Sequence, residues 1–221
     1  MAIKKIIRSK RKTISLQLNE DATLVVRAPL GVSDEIIDRV ILRHQNWIEE
    51  KKREIELRNL HFSKKTFING EEFLYLGEYY RLYLVDYQEV PLNFKNGFYL
   101  SKKYSSKAKE IFMDWYKERA YEKIFERVQW YALKNGFQYN KIKITQAQKR
   151  WGSCSGKGNL NFSWRLIMAP LPVVDYVVVH ELAHLVEKNH SKAFWSKVKM
   201  LMTDYQKQQE WLKRNGHLLR C

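Results

Sequence analysis

Cysteine, proline and acidic residues are scarce in this chain, and each shortage excludes something. The only two cysteines, Cys154 and Cys221, are too few for a cross-linked scaffold, which removes the class of small secreted disulfide domains and suits a reducing, cytoplasmic setting. Four prolines and nine glycines leave no low-complexity linker, and no internal repeat is visible. No run approaches ~18 apolar residues, so no membrane span is expected. The basic start, Met1 to Lys12, has no apolar centre and does not read as a signal peptide. Acids number 24 against 40 lysines and arginines, a formal charge of +16. Such a charge favours anionic partners, a nucleic acid among them, through encounter and solubility rather than through fold.

What is present is a folding sequence. Apolar residues make up 45%, with 7 Trp, 13 Tyr and 10 Phe, and 221 residues can bury a sizeable core. The expected fold class is α+β. Residues 1–100 are expected to form a β-rich amino-terminal region with one amphipathic helix, and 101–221 a catalytic domain.

The chemistry concentrates in His180-Glu181-Leu182-Ala183-His184, followed by His190. Two histidines four apart on a helix lie ~6 Å apart on one face, and both can reach one tetrahedral cation at ~2.0–2.1 Å. Glu181 is then placed to take a proton from the attacking water rather than to bind the ion. The flanks, Val173 to Val179 and Leu182 to Val186, read as a buried helix. Burying Glu and His there without partners costs several kcal/mol, which favours a metal over a chance pattern. A catalytic zinc has three protein ligands and one open position. His190 is the preferred third ligand, with Asn189 as the left-handed helix stop that turns the chain back. Glu187 is the competitor, awkwardly placed along the axis and better suited to a supporting role.

The run Arg150-Trp151-Gly152-Ser153-Cys154-Ser155, the segment Asn159 to Pro170, and HELAHLVEKNHSKAFW resemble the YgjP-like metallopeptidase-domain family, itself similar to the SprT and WLM zincins. Arg27 to Ser33, with His44 and Trp47-Ile48, resembles the family's amino-terminal part. The histidine spacing is also that of metzincins, but Glu187 stands where they carry glycine. The resemblance implies a zincin-like metallohydrolase domain with one Zn2+ per chain, usually classed as a metallopeptidase; a nucleotide pyrophosphohydrolase activity has also been attributed to the family.

The remaining expectations follow the chain. Residues 3–28 alternate as strands. Ser33 should cap a helix running from Asp34 toward Ile55, with His44 packed on its apolar stripe, His61 exposed beyond it, and His217 on the surface. Thr66 to Leu100 reads as a meander of three or four strands whose aromatics serve the core. Lys102 to Asn135 reads as a long helix ended by Gly136. Gly158 to Met168 alternates cleanly, and the resemblance to zincins makes it the edge strand above the metal, open to an added peptide strand. The loop Gly152 to Gly158 fails the phosphate-loop spacing and reads as a tight hairpin, with Cys154 a structural thiol. From Arg127 to Val174 there is no acid, only Arg127, Lys134, Lys141, Lys143, Lys149, Arg150, Lys157 and Arg165. Arg150 and Arg165, with Asn161 and Ser163, are therefore the candidate substrate contacts; the basic side chains also suit a solvated sheet edge.

These features carry three functional readings. The first is a zinc peptidase cleaving a peptide carbonyl with Glu181 as base. The second uses the same site on a nucleoside triphosphate, a UTP-like anion. The third is a nucleic-acid-binding module with a structural metal, against which the buried carboxylate argues, since closed structural zinc sites need no base.

Overall fold

The computed structural model describes residues 4–19, 21–60 and 65–219. His61 and Cys221 lie outside the described residues. The chain divides into two compact units, 1–63 and 64–221.

In the first unit, β1 (Lys4–Ser9) pairs parallel with β3 (Leu24–Pro29), and β2 (Ser15–Leu18) pairs antiparallel with β3 on its other side. Alternating Leu24, Val26 and Ala28 meet Ile37 and Ile48 in a small core. Ser33 occupies the N-cap position of α1 (Asp34–Arg43), but its side chain makes no cap bond. Instead Arg8 donates to the Val32 carbonyl and to Asp34 Oδ1, tying β1 to the helix entry. The expected single helix breaks at His44, where φ is −108° and ψ 17°, and resumes as α2 (Gln45–Leu60). His44 is exposed, not packed, and its Nδ1 lies 2.8 Å from the Val40 carbonyl oxygen.

In the second unit, β4 (Glu72–Tyr75), β5 (Glu78–Val85), β6 (Leu92–Phe94) and β7 (Phe98–Ser101) form one sheet in the order β4-β5-β7-β6. The pairing of β5 with β7 is parallel, so the segment is not a plain meander. Phe73, Leu82, Phe98 and Leu100 join one core with the residues of 108–219. That shared core is why the division falls after residue 63 and not, as expected, after residue 100: the sheet would have nothing to cover it alone. The β4–β5 turn is bonded to the chain leading into the metal-motif helix, through Leu76 N to Ile167 O at 2.8 Å and Gly77 N to Met168 O at 3.0 Å. Gly77 has φ +90°, and a Cβ there would come within 2.8 Å of Pro170. Only glycine fits both constraints.

A short 3₁₀ turn, Lys102–Lys107, precedes α3 (Ala108–Asn135), whose Phe112, Tyr116, Ala120, Ile124 and Val128 recur at helical spacing and are fully buried. Gly136 ends it at φ 70°, as the sequence predicts. The third sheet joins β8 (Lys141–Thr145), β9 (Gly152–Cys154) and β10 (Asn159–Ser163) in the order β8-β10-β9. Two expectations are corrected here. β10 stops at Ser163, because Trp164–Met168 winds into a 3₁₀ turn that buries Trp164, Leu166, Ile167 and Met168 together. And β10 is the central strand, parallel to β8 and antiparallel to β9, so the edges are β8 and β9.

Pro170 then occupies the N-cap of α4 (Leu171–Ala183), followed by α5 (Lys192–Leu201) and α6 (Tyr205–Asn215). The missing N–H of Pro172 costs nothing in a first turn. α4 is buried almost all round, from Val173 to Ala183 with His180 alone half-exposed. Among the described residues, no helix is long and apolar enough to cross a membrane.

Candidate metal centre

α4 ends earlier than the sequence suggests. His184 is its C-cap residue, and the backbone unwinds through Leu185 N to Leu182 O at 3.0 Å and Val186 N to Ala183 O at 3.2 Å. The Lys188 ammonium closes the end, donating to the carbonyls of His184 and Leu185. Asn189 is not the left-handed stop: its φ is not positive. The turn after Ala183 does the work expected of it.

This return brings His190 back to the helix. One ring nitrogen from each of His180, His184 and His190 lies within 4.8 Å of the others. The Nε2 atoms of His190 and His180 are 3.0 Å apart. Two nitrogens bound to one tetrahedral ion lie roughly 3.3 Å apart, so the spacing fits a shared cation. His184 Nδ1 sits 3.0 Å from the Glu187 carbonyl oxygen, which turns its Nε2 toward the other rings. Glu187 thus serves through its backbone, and its carboxylate is not in the group.

Behind the three imidazoles stands Phe194, fully buried, with its ring centroid 4.9, 4.5 and 4.8 Å from those of His180, His184 and His190. Ser191 caps α5 by accepting from the Phe194 N–H at 3.3 Å, which fixes that ring against the group. Trp195 stacks over His190 at 5.7 Å. The serine directly after His190, at N-cap spacing from Phe194, is the sequence signal for their placement.

Glu181, 5% exposed, has a buried Oε2 with no hydrogen-bond partner, and His180 Nδ1 is likewise buried and unpartnered. Burial pushes the Glu181 carboxyl up to about 8, opposed by the positive charge of Arg150. Burial, with the neighbouring His184 and His190, holds His180 down at about 4, and burial lowers His184 as well. Neutral imidazoles present the lone pairs that a metal needs. Glu181 lies on the backbone of β9: a Cβ on Gly152 would come within 2.5 Å of its Oε1. Gly152, read from sequence as a turn residue, is what makes room for the carboxylate.

The other candidates are spread. Arg150 is exposed and close enough for its charge to act on Glu181. Asn161 donates to Ser153 Oγ at 3.2 Å, and Ser163, 1% exposed, donates to the Ala147 carbonyl at 2.9 Å. Arg165 lays its guanidinium 4.6 Å from the Trp164 ring centroid and donates to the Gln146 carbonyl. These three bond the 146–153 segment, which carries Arg150 and Gly152, to β10 and the turn that follows it. Cys154 is half-buried on β9, and burial raises its thiol's pKa, as befits a structural residue. His217 is half-buried rather than on the surface.

Three imidazoles facing one point, beside a buried carboxylate with an unpartnered oxygen, make a metallohydrolase type of centre. The profile of the YgjP-like family, described as "YgjP-like, metallopeptidase domain", matches residues 12–215, and the chain belongs to that family. It is also 33% identical over 99 residues to a Pescadillo homolog of Plasmodium yoelii yoelii, a match covering 44% of this chain and 15% of that protein. The chain therefore spans well under a fifth of that relative's length. Among solved structures, the metallopeptidase zymogen of Pyrococcus abyssi abylysin is similar at 21% identity and a TM-score of 0.37, over 41% of this chain and 90% of that one.

Proposed function

We propose that this chain is a zinc-dependent hydrolase of peptides. The observation that carries the reading is the pairing of a three-histidine group, gathered at the end of one buried helix and the return that follows it, with the orphan oxygen of Glu181 on that helix. His180, His184 and His190 would hold the ion. When bound, zinc supplies an acidified water and a Lewis acid that polarises the carbonyl under attack.

The chain's own groups do the rest. Glu181 accepts the attacking water's proton at its unpartnered oxygen. Burial favours the protonated form thus made, so Glu181 can then pass the proton to the leaving amine. Arg150 offsets part of that burial and keeps the carboxylate accessible as a base. The outer edge of β9, beside Glu181, replaces β10 as the place where an extended peptide would add as a strand.

The exposed Arg150 beside the carboxylate also suits a phosphate, which favours nucleoside-triphosphate hydrolysis as the second reading. Incubating zinc-loaded protein with a denatured protein and, separately, with a nucleoside-triphosphate panel tests both. Proteolysis without nucleotide turnover is expected; the reverse result would replace the peptidase reading with the second one.

A further inference from the structure

Beside His180 and Glu181 the surface dips into a cleft of about 200 Å³, walled further by Trp151, Tyr176, Val177 and Leu212. Three elements build it. Tyr176 and Val177 stand one turn before His180 and Glu181 on α4, on the same helical face. Leu212 comes from α6, and Trp151 from the residue before β9. The indole of Trp151 rests on bare backbone: a Cβ on Gly216 would lie 2.9 Å from its Cζ2. Tyr176 is 5% exposed, and its ring lies 6.4 Å from that of Tyr205, to which it is stacked.

We infer that this cleft is a specificity pocket that takes one large apolar side chain, of the leucine or phenylalanine class, from a residue flanking the scissile bond. The inference deepens the peptidase reading above and rests on it. Trp151, Tyr176, Val177 and Leu212 supply four of the walls, and the volume suits a single side chain. The polar groups at its mouth are His180 and Glu181, both committed to chemistry. A lysine or arginine would pair with Glu181 and so remove the base. An acidic side chain would be desolvated beside a carboxylate.

The test uses the full-length protein, methyl-labelled and followed by NMR at Val177 and Leu212. N-acetyl-leucinamide and N-acetyl-phenylalaninamide should give saturable shifts there, and N-acetyl-glycinamide should bind at least tenfold more weakly. Leu212→Phe, which fills the cleft, should abolish the leucinamide response, read at Val177. No saturable shift with either large amide, or an equal response to uridine, would overturn the proposal. In turnover, replacing the flanking Leu or Phe of a cleaved peptide by Gly should lower kcat/KM roughly tenfold or more, as loss of apolar pocket contacts does. Amide binding with no peptide cleaved at all would overturn the peptidase reading and leave an apolar side-chain site. Peptide cleavage with no side-chain preference would overturn the pocket and leave that reading intact.

Discussion

Asp175 and Glu181 are carboxylates on the same helix, buried to 8% and 5% exposure, and they are treated in opposite ways. Asp175, in the first half of α4, receives both Nε and Nη2 of Arg127 at 2.6 and 2.8 Å, a two-pronged bond that joins α4 to α3. Its charge is spent on structure. Glu181, in the second half, keeps an oxygen with no partner and is driven toward its neutral form. A buried group left unsatisfied costs stability, and the fold tolerates that cost beside three histidines. The comparison separates a carboxylate that holds two helices together from one left without a partner, which the proposed mechanism uses to exchange a proton.

Variants can break that contrast, and the largest effect belongs to the second half. His180→Ala or His184→Ala should leave the protein without retained metal after dialysis, as metal analysis would show. Glu181→Gln should keep the metal and lose activity by ~10²- to 10⁴-fold, the usual worth of a positioned base. Normal turnover in that variant would move water activation elsewhere.

Asp175→Asn should do the reverse, preserving metal content while lowering stability by about 2–4 kcal/mol in denaturant melts, because Arg127 loses its partner in a partly buried place. A sharper test uses pH. The Glu181 carboxyl lies at about 8 in the fold against an ordinary value of 4.5, so its burial is tolerated below about 4.5 and costs stability as pH rises toward 8. In metal-free protein the Tm advantage of Glu181→Gln over the parent should therefore grow from pH 5 to pH 8; a constant difference would show that the carboxyl does not titrate there. Glu187→Ala should change metal affinity least, since only its backbone carbonyl meets His184.

The parts of the site legible in the sequence are those set by spacing along one helix: His180, Glu181, His184, and the return of His190 six residues later. Gly136 closing α3 was equally legible, because a left-handed terminus favours glycine. What could not be read is set by partners far apart in the chain. Arg127 and Asp175 are separated by 48 positions, and Gly152 matters only because β9 lies against α4. The clean alternation of Gly158 to Met168 suggested a half-exposed edge strand. β10 is instead paired on both sides, and a 3₁₀ turn after Ser163 ends the alternation, so that Ser163 and Ile167 are buried with the apolar set while Asn159, Asn161 and Arg165 stay partly exposed. Asn189 looked like a helix stop by residue type, yet the helix had already unwound at His184, where Lys188 satisfies the last carbonyls.

The central claim is that the three histidines hold a metal beside Glu181, and metal analysis of the protein purified without chelators tests it most directly. The account predicts about one zinc per chain, lost on His190→Ala. Protein carrying no stoichiometric transition metal would contradict it.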